Sequence, residues 1–175
     1  GAVIDVNLNS VFNVTHQVLN GMTERGWGRI INISSVNGIK GQFGQANYSA
    51  AKMGVVGLSN SIALDMQRAG VRSNCIAPFA WSRLTATVPA ETEAEKERVE
   101  RMKASSADKI APLVVTLLTD AAKDVTGQIF CVRKNEILLF SVPRPIRSMQ
   151  RSEGWTPETI ASDLLPAMRP SMHAL

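Results

Sequence analysis

The chain has 175 residues, 45% hydrophobic and 19% charged, which suits one globular core and excludes a disordered polymer. No window approaches about eighteen uninterrupted apolar residues, and no basic stretch followed by an apolar run opens the chain. Neither a membrane span nor a secretory leader is therefore expected, and a cytoplasmic location is. The formal charge of +4 is local, because between Arg133 and Arg151 five bases stand against one acid, Glu136. That segment reads as a solvated basic tail, or one facing an anion or a neighbouring subunit; no nucleic-acid module accompanies it, so nucleic-acid binding is not expected.

In chain order, Leu8, Val11, Phe12, Thr15, Val18, Leu19 and Met22 form one stripe at helical spacing within residues 4–25, ended by Gly26 and Gly28. Arg29–Ser35 is short, apolar and β-branched, as a central parallel strand would be. Gly38, Gly41 and Gly44 then punctuate a loop. A second helix is expected over residues 47–68, stopping at Gly70, followed by a buried strand over Val71–Pro78. An irregular loop over residues 79–89 precedes a charged, solvent-exposed helix at 91–103. Asp108 is placed to cap an apolar helix running to Leu118, and Gln128–Val132 reads as a third strand. After Val142 the composition turns to Pro and Arg, and Thr156-Pro157-Glu158 opens a short final helix. Cys75 and Cys131 lie in strand-like runs as buried free thiols, and no Cys/His or paired-carboxylate spacing suggests a metal site.

Helices alternating with short apolar strands indicate an α/β layer fold with a parallel sheet. The expected organisation is a main domain over residues 1–140 and a Pro/Arg-rich extension over residues 141–175. The strand at Arg29–Ser35 looks central, yet no strand precedes it, so the sequence describes part of a sheet.

Tyr48 and Lys52, four residues apart, share a helix face. A free phenol titrates near 10, too high for a general base at neutral pH, and a neighbouring cation favours its charged form. Ser35, at the carboxyl end of a strand, lies where ligands of open α/β sheets bind, and its hydroxyl can hold a substrate oxygen for proton exchange with Tyr48. A lone Tyr-x-x-x-Lys is weak and is more often a surface pair; the three residues together are far more specific.

With Asn-Ile-Ser-Ser before and Asn-Tyr-Ser-Ala-Ala-Lys after, the chain resembles the short-chain dehydrogenase/reductases over roughly residues 1–132. Asp5-Val6-Asn7-Leu8, Gly28–Ser35, Gly44–Lys52, Gly70-Val71-Arg72, Asn74, Ile76-Ala77-Pro78 and Thr126-Gly127-Gln128 carry the match. The resemblance implies the C-terminal part of a Rossmann-like doubly wound sheet, lacking the N-terminal dinucleotide-binding strands. It implies an enzyme that interconverts a secondary alcohol and a ketone with NAD or NADP. In it Tyr48 is the general acid/base and Ser35 orients the substrate oxygen. Lys52 lowers the tyrosine's pKa and bonds the nicotinamide ribose, while Asn7 holds a proton-relay water. Tyr48, Lys52 and the segment Pro78, Phe79, Ala80 and Trp81 would line the nicotinamide, and helices 4–25 and 47–68 would pair in a homodimer or homotetramer.

Two departures stand out. None of the twelve glycines forms the family's phosphate-gripping turn after a first strand, and the Asn-Asn-Ala-Gly segment is missing. Phe79 replaces the usual glycine after Pro78, and Val132-Arg133-Lys134-Asn135-Glu136 replaces the usual Asp-Gly-Gly. The second departure, with the Pro/Arg-rich tail, resembles the (3R)-hydroxyacyl-CoA dehydrogenase subgroup. The first implies a chain inactive in isolation, or alternatively a non-catalytic, oligomerising member of the family.

Overall fold

The computed structural model describes residues 1–81, 92–103 and 105–173; most of the loop expected at 79–89 lies outside them. A continuous helical stretch opens the chain: α1 (Ala2–Ile4), one π-helical turn (Asp5–Asn9) and α2 (Ser10–Glu24). β1 (Gly28–Ile33) follows. The segment expected as a glycine-punctuated loop instead contains a short helix, α3 (Val36–Lys40). Ser35 makes it possible by capping it, its hydroxyl accepting from the Asn37 N–H at 3.2 Å. Then come α4 (Ala46–Asp65), a 3-10 turn (Gln67–Ala69) and β2 (Val71–Phe79).

α5 (Glu93–Lys103) is the charged helix, with i,i+3 pairs Lys96–Glu93 and Lys103–Glu100 on its surface. Asp108 does not cap the next helix. It sits inside a 3-10 turn (Ala107–Lys109) whose own N-cap is Ser106, and α6 (Ala111–Leu117) begins after it. β3 (Ile129–Arg133) is followed by a strand the sequence reading did not expect, β4 (Glu136–Phe140).

The sheet runs β1-β2-β3-β4; the first three strands are parallel and β4 returns antiparallel to β3. Register pairs Ile31 with Asn74, Cys75 with Ile129 and Pro78 with Val132. Among the described residues β1 has one strand neighbour, β2.

Alternation along the strands sends side chains to two covered faces. On one face Ile30, Val71, Cys75 and Ile129 meet Val55, Val56 and Ile62 of α4, with Leu19 and Met22 of α2 behind. On the other, Ile76 and Val132 meet Leu117 of α6 and Ala122. Helices on both faces of a mostly parallel sheet are the doubly wound arrangement. Each fully buried aliphatic side chain contributes about 1.5–3 kcal/mol by leaving water. Polar groups inside the first face are satisfied locally: the Ser59 and Ser73 hydroxyls lie 2.8 Å apart, and Asn32 donates to Ser73. Cys75 and Cys131 are buried free thiols. Among the described residues no helix is long and apolar enough to cross a membrane.

Contacts divide the chain into two compact units, Gly1–Ser141 and Val142–Leu175. The second consists of an extended segment, α7 (Pro157–Thr159), a π-helical turn (Ile160–Leu164) and α8 (Leu165–Met168). Thr156 starts it as expected, in a reciprocal capping box with Thr159. Arg151 organises the unit's polar side, bonding Asp163 at 2.9 Å and lying over the Trp155 ring.

Candidate active site

The carboxyl ends of β1 and β2 gather most of the residues of interest. Ser35 leaves β1 in extended backbone (φ −155, ψ 147) and turns the chain into α3. Because its oxygen accepts the Asn37 N–H, one lone pair is occupied and its O–H remains available to donate outward. The Asn37 side chain spans the 36–45 segment, its amide donating to Gln45 Oε1 at 3.1 Å. Gln45 is the residue before α4, so this bond joins the Ser35 side of the loop to the Tyr48 side.

Tyr48 and Lys52 stand one turn apart near the start of α4. The Lys52 ammonium lies 5.8 Å from the Tyr48 ring centroid and donates to the Ile33 carbonyl at 3.1 Å. Burial holds the lysine below its ordinary value. The lysine's backbone is held as well: the buried Ser34 hydroxyl donates to the Lys52 carbonyl at 2.8 Å.

Asn7 sits in the π-helical turn, its amide donating to the Val3 carbonyl at 3.1 Å. Its neighbour Leu8 presses on α4 at Gly54, where an added Cβ would fall 2.8 Å from a Leu8 methyl. Asn7 is thus carried on a turn that packs beside the Tyr48–Lys52 helix. Single π-turns of this kind recur at functional sites.

A cavity of about 190 Å³ opens at this rim, lined by Ser35, Val36, Asn37, Pro78, Phe79, Ala80 and Trp81. It brings Ser35 together with the whole 78–81 segment expected to line a nicotinamide. Tyr48, Lys52 and Asn7 are not part of its lining. Asn37 is the site residue that sequence reasoning missed; its signal, an Asn-Gly pair two residues after Ser35, reads as a turn. The Trp81 N–H donates to the Ser105 carbonyl at 2.7 Å, anchoring the far wall of the cavity.

These residues suit one end of a dinucleotide. Lys52 offers a cation and hydrogen-bond donor for a ribose, and the cavity offers an apolar wall for a flat ring. They do not suit the phosphates: Gly38 is buried, and the space over it is filled by the Lys52 side chain, with Cβ atoms 2.6 Å apart if an alanine stood there. A phosphate cradle needs that space open.

Comparison with known proteins agrees with the fold. A family model described as short chain dehydrogenase matches residues 1–98. An acetoacetyl-CoA reductase of Allochromatium vinosum is 66% identical over 77 residues, 44% of this chain and 31% of that protein. Peroxisomal multifunctional enzyme type 2 of Mus musculus is 36% identical over 157 residues, 89% of this chain and 20% of that protein. Among solved structures, a short chain dehydrogenase from Mycobacterium avium superposes with TM-score 0.77 at 32% identity, covering 98% of this chain and 57% of that one. The chain spans about half the length, or less, of the curated relatives it matches. With the matched model covering more than half of its residues, the chain belongs to the short chain dehydrogenase family.

Proposed function

We propose that this chain carries the acid/base half of a nicotinamide-dependent oxidoreductase that interconverts a secondary alcohol and a ketone. The substrate class is a 3-hydroxyacyl or 3-oxoacyl thioester of coenzyme A, the chemistry named for the acetoacetyl-CoA reductase relative. The observation that carries the reading is the Tyr48 ring and Lys52 ammonium 5.8 Å apart on one face of α4, with Ser35 at the adjoining strand end.

In the alcohol-to-ketone direction, Tyr48 takes the substrate's hydroxyl proton, and in the reverse direction it returns it. Ser35 donates its free O–H to the same oxygen and holds it in line with the phenol. Lys52 bonds the nicotinamide ribose. Asn7, on its π-turn, anchors a water that carries the proton onward. Pro78, Phe79, Ala80 and Trp81 wall the nicotinamide and exclude water. When bound, NAD or NADP supplies the hydride exchange with the carbinol carbon.

Pairing of subunits through α2 and α4 accompanies this reading. Phe12, Val14 and Leu64 on those helices are 52%, 66% and 76% exposed. Phe12 also lines a groove of about 250 Å³ with Leu19, Leu58 and Ile62 in its walls. Apolar surface of that extent suits a subunit contact.

Replacing Tyr48 with Phe in a preparation that turns over 3-oxoacyl-CoA should remove nearly all activity; a variant that keeps its turnover sinks the assignment. The filled space over Gly38, which leaves no room for a phosphate there, favours a second reading, a non-catalytic chain that only oligomerises. Titrating the 175-residue chain with NADH and NADPH, followed by nicotinamide fluorescence, separates the two. Saturable micromolar binding rules out the second reading.

A further inference from the structure

Three separate features of this chain converge on a single residue, Lys52. The Ser34 side chain, 2% exposed, spends its only proton on the Lys52 carbonyl at 2.8 Å, although helix carbonyls already have a partner within the helix. Gly38, in the middle of α3, brings its backbone so close that an added Cβ would lie 2.6 Å from Lys52 Cβ, 3.0 Å from its carbonyl carbon and 3.1 Å from the Met53 nitrogen. At the other end of the side chain, the ammonium reaches back to the Ile33 carbonyl at 3.1 Å, the residue just before Ser34. The lysine is therefore gripped at carbonyl, Cβ and ammonium by the run Ile33–Gly38.

We infer that Ser34 and Gly38 are positioning residues that set where Lys52 stands against Tyr48 and Ser35. The inference rests on the acid/base reading above and deepens it. A lysine on an exposed helix turn sweeps its head group through a wide arc. Here the strand end that delivers Ser35 also fixes the helix turn that delivers Lys52, so the separation between the two functional groups is set by short contacts rather than by loop length. Ser34 acts through a helix carbonyl and Gly38 through a backbone approach. Neither touches the reacting atoms.

The test reads Lys52 directly in the 175-residue chain. Competitive acylation of amines, quantified peptide by peptide across pH, gives the titration midpoint of Lys52 without any cofactor or turnover. In the parent chain that midpoint lies below the ordinary lysine value, because the amine is partly buried. In Ser34→Ala the turn loosens and the midpoint moves up towards an ordinary lysine. Each unit of movement lowers the reactive amine fraction about tenfold at a fixed pH below both midpoints. Ser34→Thr, which keeps the hydroxyl, restores the parent midpoint.

Gly38→Ala, with the Ser34 hydroxyl intact, pushes the same backbone from the other side and moves the midpoint the same way. It serves as the reading should Ser34→Ala fail to fold. A Lys52 midpoint unchanged in the folded variant overturns the inference, as does Ser34→Thr behaving like Ser34→Ala. The acid/base reading is judged separately by Tyr48→Phe: an active Tyr48→Phe removes that reading whatever Lys52 does. An inactive Tyr48→Phe beside an unmoved Lys52 removes only the positioning roles.

Discussion

Substituting Gly70 by alanine should cost this fold about 3–4 kcal/mol, and the structure supplies each part of that figure. Gly70 ends the 3-10 turn after α4 with φ 71, a region where a non-glycine residue costs roughly 1–2 kcal/mol. Its added Cβ would also fall 2.1 Å from the Gly26 carbonyl oxygen and 2.9 Å from the carbonyl carbon. Backbone does not yield as a side-chain tip does, so the Gly26–Trp27 turn must retreat by about 0.9 Å to reach the 3.0 Å floor of real contacts. That retreat strains two bonds to the Gly70 carbonyl, from the Gly28 N–H at 3.4 Å and the Arg29 guanidinium at 3.2 Å, each worth about 1 kcal/mol. With a urea dependence of about 2 kcal/mol per molar, the midpoint should fall by roughly 1.5–2 M. Tryptophan fluorescence is the assay, since Trp27 belongs to the turn that must move, its backbone nitrogen lying 3.6 Å from the added atom. Gly26→Ala is the control: it shares the positive φ (64) but has nothing within 4 Å, so it should lose only about 1 kcal/mol. Equal losses for the two variants would refute the overlap argument, and a Gly70→Ala shift below about 0.5 M would refute the whole estimate.

Other outcomes follow from single residues. Lys52 is held below its ordinary value of 10.5 by burial, so between the folded and ordinary values the unfolded chain binds more protons and stability rises with pH. Its contribution is complete above about 10.5 and is lost as pH falls through the folded value; Lys52→Met should flatten that part of a stability-against-pH curve, and an unchanged slope would contradict it. Cys75, whose thiol burial pushes up, should resist aromatic disulfide reagents in the folded chain and react only at the rate of unfolding, measured by thiol release at increasing urea. Thr156→Ala removes the capping box of α7 and should cost about 1 kcal/mol of helix stability, seen as faster amide exchange over residues 157–168 with unit Gly1–Ser141 unaffected.

The three parallel strands and α4 were legible because local pattern and burial coincide in them. Ile30, Cys75 and Ile129 face one side and Ile31, Ile76 and Phe130 the other, which is the short two-sided apolar run of a covered strand. β4 was not legible, because its definition is non-local. Ile137-Leu138-Leu139-Phe140 carries no β-branched alternation, and it becomes a strand by pairing with Ile129–Val132 across the two-residue turn at Lys134-Asn135. That turn holds Lys134 at φ 56, a conformation usually announced by glycine or asparagine, so the signal pointed elsewhere. α3 was hidden for the opposite reason. Glycines at 38 and 41 argue against a helix, yet the Ser35 cap and the contact of Gly38 with Lys52 make a short one. Asp108 does not cap α6, whose N-cap position is Ile110; its carboxyl is engaged by the Ser106 side chain instead, which holds it below the usual carboxylate range. In the site, spacing alone gave the Tyr48–Lys52 face. The Asn37–Gln45 bond and the Ser34 contact depend on how a strand end meets a helix, which no spacing within one segment encodes.

The unequal borders of the sheet have a practical consequence for anyone who handles this polypeptide. β4 ends one border with Glu136, salt-bridged to Arg133. β1 ends the other with Ile30-Ile31-Asn32-Ile33, a run without charge or proline whose last residue is 46% exposed. Such a segment templates strand addition by identical molecules, and its one flanking charge, Arg29, is tied to Asp120 and the Gly70 carbonyl. Concentrated samples of the 175-residue chain should therefore thicken with time into thioflavin-positive fibrils seeded at β1, and a lysine in place of Ile33 should slow their growth.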